Sequence, residues 1–345
     1  MPKCKLCLEK EADFKGSHIV PHFLLKRIFN IEGKKGRDYE LEFVIDGINT
    51  QAYYGRNVPR EKLDSLFDEV KEGVTEENKD PHVEDYIFCT SCEKRFGAIE
   101  SEYAKTLDTQ SPDTYDSGIK SELGLLFWAS VLWRMSVNKK NGVSQTKGED
   151  EILRRILNRC LKEKIEDIDI ENMRSSKDLR KISYKLLRCP GFSDSNTTHL
   201  FMYPIIINPY TILIDEFILF FSHNSNYNDY KVRDFYGIKS EVIDAPLNNN
   251  SNNEQILAIS NDKFNGVFEG LKNQMTQIRF NYLHNYLDSL HIELGGKGKM
   301  DNALKKEIFD ELNNSEVKEG DKFTLNHFNA TILSVMSKYE LIYHS

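Results

Sequence analysis

Apolar and polar residues alternate from Tyr39 to Tyr54 around Asp46-Gly47, a pair suited to a two-residue turn, and this period of two predicts a hairpin of two strands. The period then lengthens. A short helix is expected around Leu63 to Val70, and Glu93, Phe96, Glu100, Tyr103 and Leu107 recur at helical spacing, which predicts a helix from about Ser91 to Leu107. Leu123 to Val137 is apolar nearly all round, with Arg134 its only charge. Fifteen residues are too few to cross a bilayer, so this stretch is expected to be a buried helix with Trp128 and Trp133 in the core. Ile152 to Ile165 reads as an amphipathic helix, and His199 to Phe221, rich in Ile, Phe and Tyr and broken by Asn208-Pro209, as two strands. Phe268, Leu271, Met275, Ile278, Tyr282 and Tyr286 predict a long helix from about Lys263 to Leu290. Helical periodicity returns at Leu304 to Leu312 and at Phe328 to Ile342.

The stretch Asp108 to Gly118, rich in Ser, Asp, Thr and Pro, carries the strongest linker signal and places the main boundary there. The expected fold class is α+β: a compact N-terminal module over residues 1–110, with an acidic insertion at about 61–85, then a mainly helical α+β domain over 111–345. No internal repeat is visible.

A length of 345 residues suits two or three such units, and 39% hydrophobic with 29% charged residues excludes a disordered, collagenous or membrane-embedded chain. No charged-then-apolar leader and no spanning run is seen, so a cytoplasmic address without membrane association is expected. The net charge of −8 argues against coating nucleic acid by bulk positive charge. Its sign has a local origin, however, because residues 61–85 hold ten acids against three lysines while residues 1–60 carry eleven Lys or Arg against eight acids. Two basic clusters could meet phosphates: Lys26, Arg27, Lys34, Lys35 and Arg37, and residues 151–189, with eleven Lys or Arg against seven acids.

Six cysteines are too sparse for a disulfide scaffold, but four of them form two C-x2-C pairs, Cys4 with Cys7 and Cys89 with Cys92. Four thiolates make a closed tetrahedral zinc site, the arrangement of a structural ion, and such a site would stabilise a module too small for a large core. Cys160 and Cys189 read as ordinary buried thiols.

The residues around these pairs resemble a known pattern. Cys4-x2-Cys7, then Ser17-His18-Ile19-Val20-Pro21, then Cys89-x2-Cys92-Glu93 with Phe96-Gly97 and Ile99-Glu100, is similar to the zinc-containing branch of the HNH (ββα-metal, treble-clef) endonucleases. The likeness covers about residues 1–30 and 86–107; Leu132 to Val137 and the helix after it resemble the downstream region of uncharacterised bacterial proteins that carry this module. The resemblance implies a treble-clef module with structural zinc, His18 as general base, and Glu93 and Glu100 on one helix face helping to hold a catalytic Mg²⁺ or Mn²⁺. Glu93 stands where the family usually has Asn, and Ser17 where many members have another ligand; His22, four residues after His18, is a substitute ligand.

The implied activity is metal-assisted hydrolysis of phosphodiester bonds in DNA, in bacterial defence or mobile-element biology, with a protein partner or homo-oligomer open. The alternative is a zinc-stabilised nucleic-acid or protein interaction module without catalysis. In the blander reading of the same residues, Glu93 serves the helix dipole and Glu100 is solvated.

Overall fold

A computed structural model describes residues 1–25, 34, 36–46, 49–67, 79–138, 143–192, 199–202, 209–223, 234–249, 253–318, 321–322 and 324–339. The fold is mixed α+β, 50% helical and 17% strand, as the alternation of the two periods predicts. No helix is long and apolar enough to cross a membrane.

In chain order the first elements are the two-residue strand β1 (Ser17–His18), the hairpin β2 (Leu41–Asp46) and β3 (Asn49–Tyr54), helix α1 (Arg60–Leu66), and β4 (Val83–Glu84). Helix α2 (Thr90–Ala104), strand β5 (Thr114–Lys120) and helices α3 (Ser121–Asn138), α4 (Lys147–Cys160) and α5 (Ile170–Ser175) follow. Then come β6 (Ser183–Arg188), β7 (Leu200–Met202), β8 (Tyr210–Ile214), β9 (Phe217–Ser222), α6 (Lys239–Asp244), β10 (Asn253–Ala258), α7 (Asn261–Glu293), α8 (Asn302–Asn314) and α9 (Leu325–Ser337).

The chain forms two compact units, Met1–Ile28 with Pro81–Leu271, and Phe29–Asp80 with Lys272–Ser345. The stretch 108–118, where the main boundary is expected, lies inside the first of these units. Residues 114–118 of that stretch belong to β5, in which Tyr115, Ser117 and Ile119 point inward and their neighbours outward. One of the three inward residues is a serine and Gly118 takes φ +86°, so a strand alternation hides behind linker-like composition.

The first unit is built on a six-stranded sheet in the order β5-β10-β6-β9-β8-β7, with only the β10–β6 pair parallel. Its central strands are buried on both faces. Tyr184, Leu186, Phe217, Leu219 and Ile212 pack into the core shared with α3, while Leu187, Ile218, Phe220 and Leu213 pack with Val242 of α6 and Phe264, Val267 and Leu271 of α7. Helix α3 is buried from Ser121 to Ser136, as its all-round apolar sequence predicts. Its tryptophans serve the core: Trp133 lies 5.8 Å from the Phe88 ring and Trp128 donates from Nε1 to the Tyr103 hydroxyl.

The second unit contains the hairpin β2–β3, paired in register from Leu41 with Tyr54 to Asp46 with Asn49. Gly47 of its turn lies outside the described residues, as do residues 68–78 of the acidic insertion. Leu41, Tyr54, Val58, Leu63 and Phe67 form a small core against α1. A separate core joins Leu283 and Leu287 of α7 to Ile308 and Leu312 of α8 and Phe328, Ile332 and Val335 of α9.

Candidate metal centre and the polar site beside it

Cys4 and Cys7 sit on a tight knuckle in which Cys4 N donates to the Lys10 carbonyl (2.9 Å) and Leu8 N to the Cys4 carbonyl (2.9 Å), with Leu8 in the left-handed region at φ 61°. The segment before α2 runs beside this knuckle, Lys5 N donating to Ile87 O (3.0 Å) and Phe14 N to Phe88 O (3.2 Å). Cys89 is then the N-cap of α2 and Cys92 lies in its first turn.

The four sulfurs all lie within 4.8 Å of one another, and Cys7 Sγ is 4.0 Å from Cys89 Sγ. A tetrahedral ion with metal–sulfur bonds of about 2.3 Å would space its ligands by about 3.8 Å. The group therefore fits a metal ion such as zinc. The electrostatics agree: a hydrogen bond from Cys92 draws the Cys4 thiol down to about 4, and the same contact pushes the Cys92 thiol up. A dication would hold all four as thiolates.

Arginine side chains tie this centre to α4. Arg95 places Nη1 3.8 Å from Cys92 Sγ and gives its other donors to the Leu157, Asn158 and Leu161 carbonyls at the C-terminal end of α4, where helical carbonyls run short of backbone donors. From α4, Arg154 donates to the Leu6 carbonyl in the knuckle (2.9 Å).

Next to the cysteines, β1 and β4 pair antiparallel, Ser17 opposite Glu84 and His18 opposite Val83, and Ile19 N donates to the His82 carbonyl (2.8 Å). Ser17 of this short ribbon lies beside Glu93 of α2. The Ser17 hydroxyl is buried against the Glu93 carboxyl but outside hydrogen-bonding geometry, and Glu93 Oε2 is buried with no hydrogen-bond partner. Burial pushes the Glu93 carboxyl up to about 7; Arg134 pulls it down, and Glu100, two helical turns away, adds to the rise.

Glu100 is half-buried and paired. Arg134 of α3, its side chain 1% exposed, places Nη1 2.6 Å from Glu100 Oε1. The same guanidinium donates to the His18 carbonyl (2.8 Å) and lies over the Phe96 ring, 4.8 Å from its centre. The His18 ring meets the His22 ring edge-on with centres 5.9 Å apart, so the turn at Pro21 keeps the two imidazoles together.

Ser17, Glu93, Glu100 and the backbone of His18 are thus brought onto one face beside the cysteines. Among the described residues, the four cysteines are the only group of three or more close donors, so Glu93, Glu100 and His18 do not form a second one. Arg134 is the neighbour of this polar site that sequence reasoning missed. The available signal was a lone charge in an apolar helix, because a buried arginine requires an acceptor elsewhere in the chain. Of the first basic cluster, Lys26, Arg27 and Lys35 lie outside the described residues, and Lys34 sits 5.3 Å from the centre of the Tyr39 ring in the second unit.

Comparisons of the chain with protein-family models, with curated proteins and with solved structures find no match.

Proposed function

We propose that the chain is a metal-dependent endonuclease of HNH type that hydrolyses phosphodiester bonds in DNA, with zinc at Cys4, Cys7, Cys89 and Cys92 as scaffold. The order of cysteine knuckle, short ribbon and helix bearing the last cysteine supports a treble-clef module. One observation carries the catalytic part: Glu93, directly after the last cysteine, keeps a buried oxygen without a hydrogen-bond partner next to the His18 ribbon.

In this reading the His18 imidazole accepts the proton of the attacking water. The Glu93 carboxylate fits the one hard ligand that Mg²⁺ or Mn²⁺ takes while keeping several waters, and His22 stands close enough to His18 to assist. When bound, the ion supplies Lewis-acid stabilisation of charge on the phosphate oxygens. Glu100 acts through Arg134, which holds the His18 backbone at its carbonyl. The test is incubation of supercoiled plasmid with the purified chain and Mg²⁺ or Mn²⁺. Conversion to the nicked circle supports the reading and its absence with both ions refutes it.

A second reading, a zinc-stabilised interaction module without catalysis, is favoured by the pairing of Glu100 with Arg134 and by the lack of a second group of three close donors among the described residues. It predicts that Mn²⁺ titrated into the zinc-loaded chain produces no saturable binding that Glu93→Gln abolishes.

A further inference from the structure

The outer side of α4 and the turn after α5 share a cluster of cations that the site above does not use. Helix α4 buries Leu153, Ile156, Leu157 and Cys160, which leaves Arg155 and Arg159, one turn apart, on its exposed side. Arg159 donates to the Ser176 hydroxyl (2.7 Å), which sets the turn at 176–181 beside it. That turn inserts Leu179 into the core and exposes Lys177, Arg180 and Lys181. Arg180 is held in place by its Nε bond to the Arg174 carbonyl (3.1 Å).

The local acids are largely engaged elsewhere. Glu151 pairs with Arg154, Glu122 and Glu171 pair with Arg174, Glu163 accepts from Ser91, and Asp169 caps α5. At the start of α4, Glu149 accepts from Thr146 and Tyr210 and Asp150 from Gln145, so Glu166, Asp167 and the half-buried Asp178 are the remaining acids on these segments. None of the five cations forms an ion pair among the described residues, whereas Arg154 and Arg174 nearby both do.

We propose that Arg155, Arg159, Lys177, Arg180 and Lys181 form a docking surface for the phosphate backbone of duplex DNA. The proposal rests on the nuclease reading for the identity of the polyanion. Charge complementarity carries it: although Arg155 acts on Glu151 through space, none of the five cations is held in an ion pair among the described residues, and such cations meet phosphates and release counterions. Helix α4 is also the element whose last carbonyls Arg95 of α2 holds, so DNA seated on α4 is in fixed register with the helix that carries Glu93.

The test is fluorescence anisotropy of a labelled 30-base-pair duplex with the full zinc-loaded chain over a salt series, without Mg²⁺ or Mn²⁺. Arg155→Gln/Arg159→Gln/Lys181→Gln is compared with Lys297→Gln/Lys299→Gln/Lys306→Gln, which removes the same charge from the second unit. Neutralising three phosphate contacts should lower the slope of log affinity against log salt by about 2.7, and the control should leave it unchanged. Equal slopes for the two triple variants, or no binding by the wild-type chain, overturn the proposal. A wild-type chain that nicks plasmid while the two triples bind alike refutes this surface alone. Binding through these residues without nicking refutes the catalytic reading alone.

Discussion

Arg134 and Glu100, thirty-four positions apart, meet at 2.6 Å in a pair whose arginine is almost wholly buried. The guanidinium that neutralises Glu100 also fixes the carbonyl of His18, so a helix of the sheet-bearing part of the unit completes the polar site of the N-terminal segment. The cysteine-bearing N-terminal segment and helix α3 share one core, which runs from Cys4 through Trp133 to Ile256.

Removing one partner of this pair should cost more than removing the other. Arg134→Met leaves Glu100 partly buried and uncompensated and removes the bonds to the His18 and Ser130 carbonyls. A loss on the order of 3 kcal/mol is expected in urea denaturation. Glu100→Gln should lose less, because Arg134 keeps both carbonyl acceptors. An equal loss for the two variants would show that the bonds to the two carbonyls add nothing beyond the ion pair.

The four cysteines should hold one zinc per purified chain, measured by elemental analysis. Cys4→Ser and Cys89→Ser should each lower that content, and a strong chelator should lower the melting temperature of the wild-type chain. Melting unaffected by complete removal of metal would leave the cysteines without a scaffolding role.

Glu254 gives the clearest pH dependence. It is fully buried on β10, and its carboxylate accepts from the Tyr184 hydroxyl (2.7 Å) and the Tyr103 hydroxyl (3.1 Å). Burial pushes its carboxyl up, against the pull of these donors. The folded state therefore favours the protonated acid. Stability from this group is full below the ordinary Glu value of about 4.3 and is lost as pH rises above it, by about 1.4 kcal/mol per unit until the folded value is passed. Glu254→Gln, which is neutral throughout, should gain stability relative to wild type between pH 4 and pH 7. A difference that does not change over that range would mean that the carboxyl is charged in the fold.

The elements that a single period could reveal were legible in the sequence. The hairpin β2–β3, the helices α2, α3 and α7, and the cysteine pairs all follow from spacing. Strand β6 was hidden because both its faces are buried, so it shows no alternation. Its two charges are satisfied at a distance, Lys185 by the Val242 and Ile243 carbonyls and Arg188 by Glu216. The run from His199 to Phe221 contains three described strands instead of two, because β8 turns into β9 at Asp215-Glu216, with Asp215 at φ 52°. That pair carries none of the Asn-Gly chemistry that announces a hairpin, and Glu216 is held inside by Arg188 and by Gly191 N. The polar site was half legible: position relative to the cysteines marked Glu93 and His18, but the partner of Glu100 depends on how α3 packs.

The most direct measurement is the rate of plasmid nicking by His18→Ala relative to wild type, both zinc-loaded and equally folded, with Mn²⁺ or Mg²⁺ in excess. A general base contributes at least about 100-fold, so the variant should nick slower by that factor or more. Equal rates would contradict His18 as the general base, and no nicking by the wild-type chain with either ion would contradict the assignment of this chain as a nuclease.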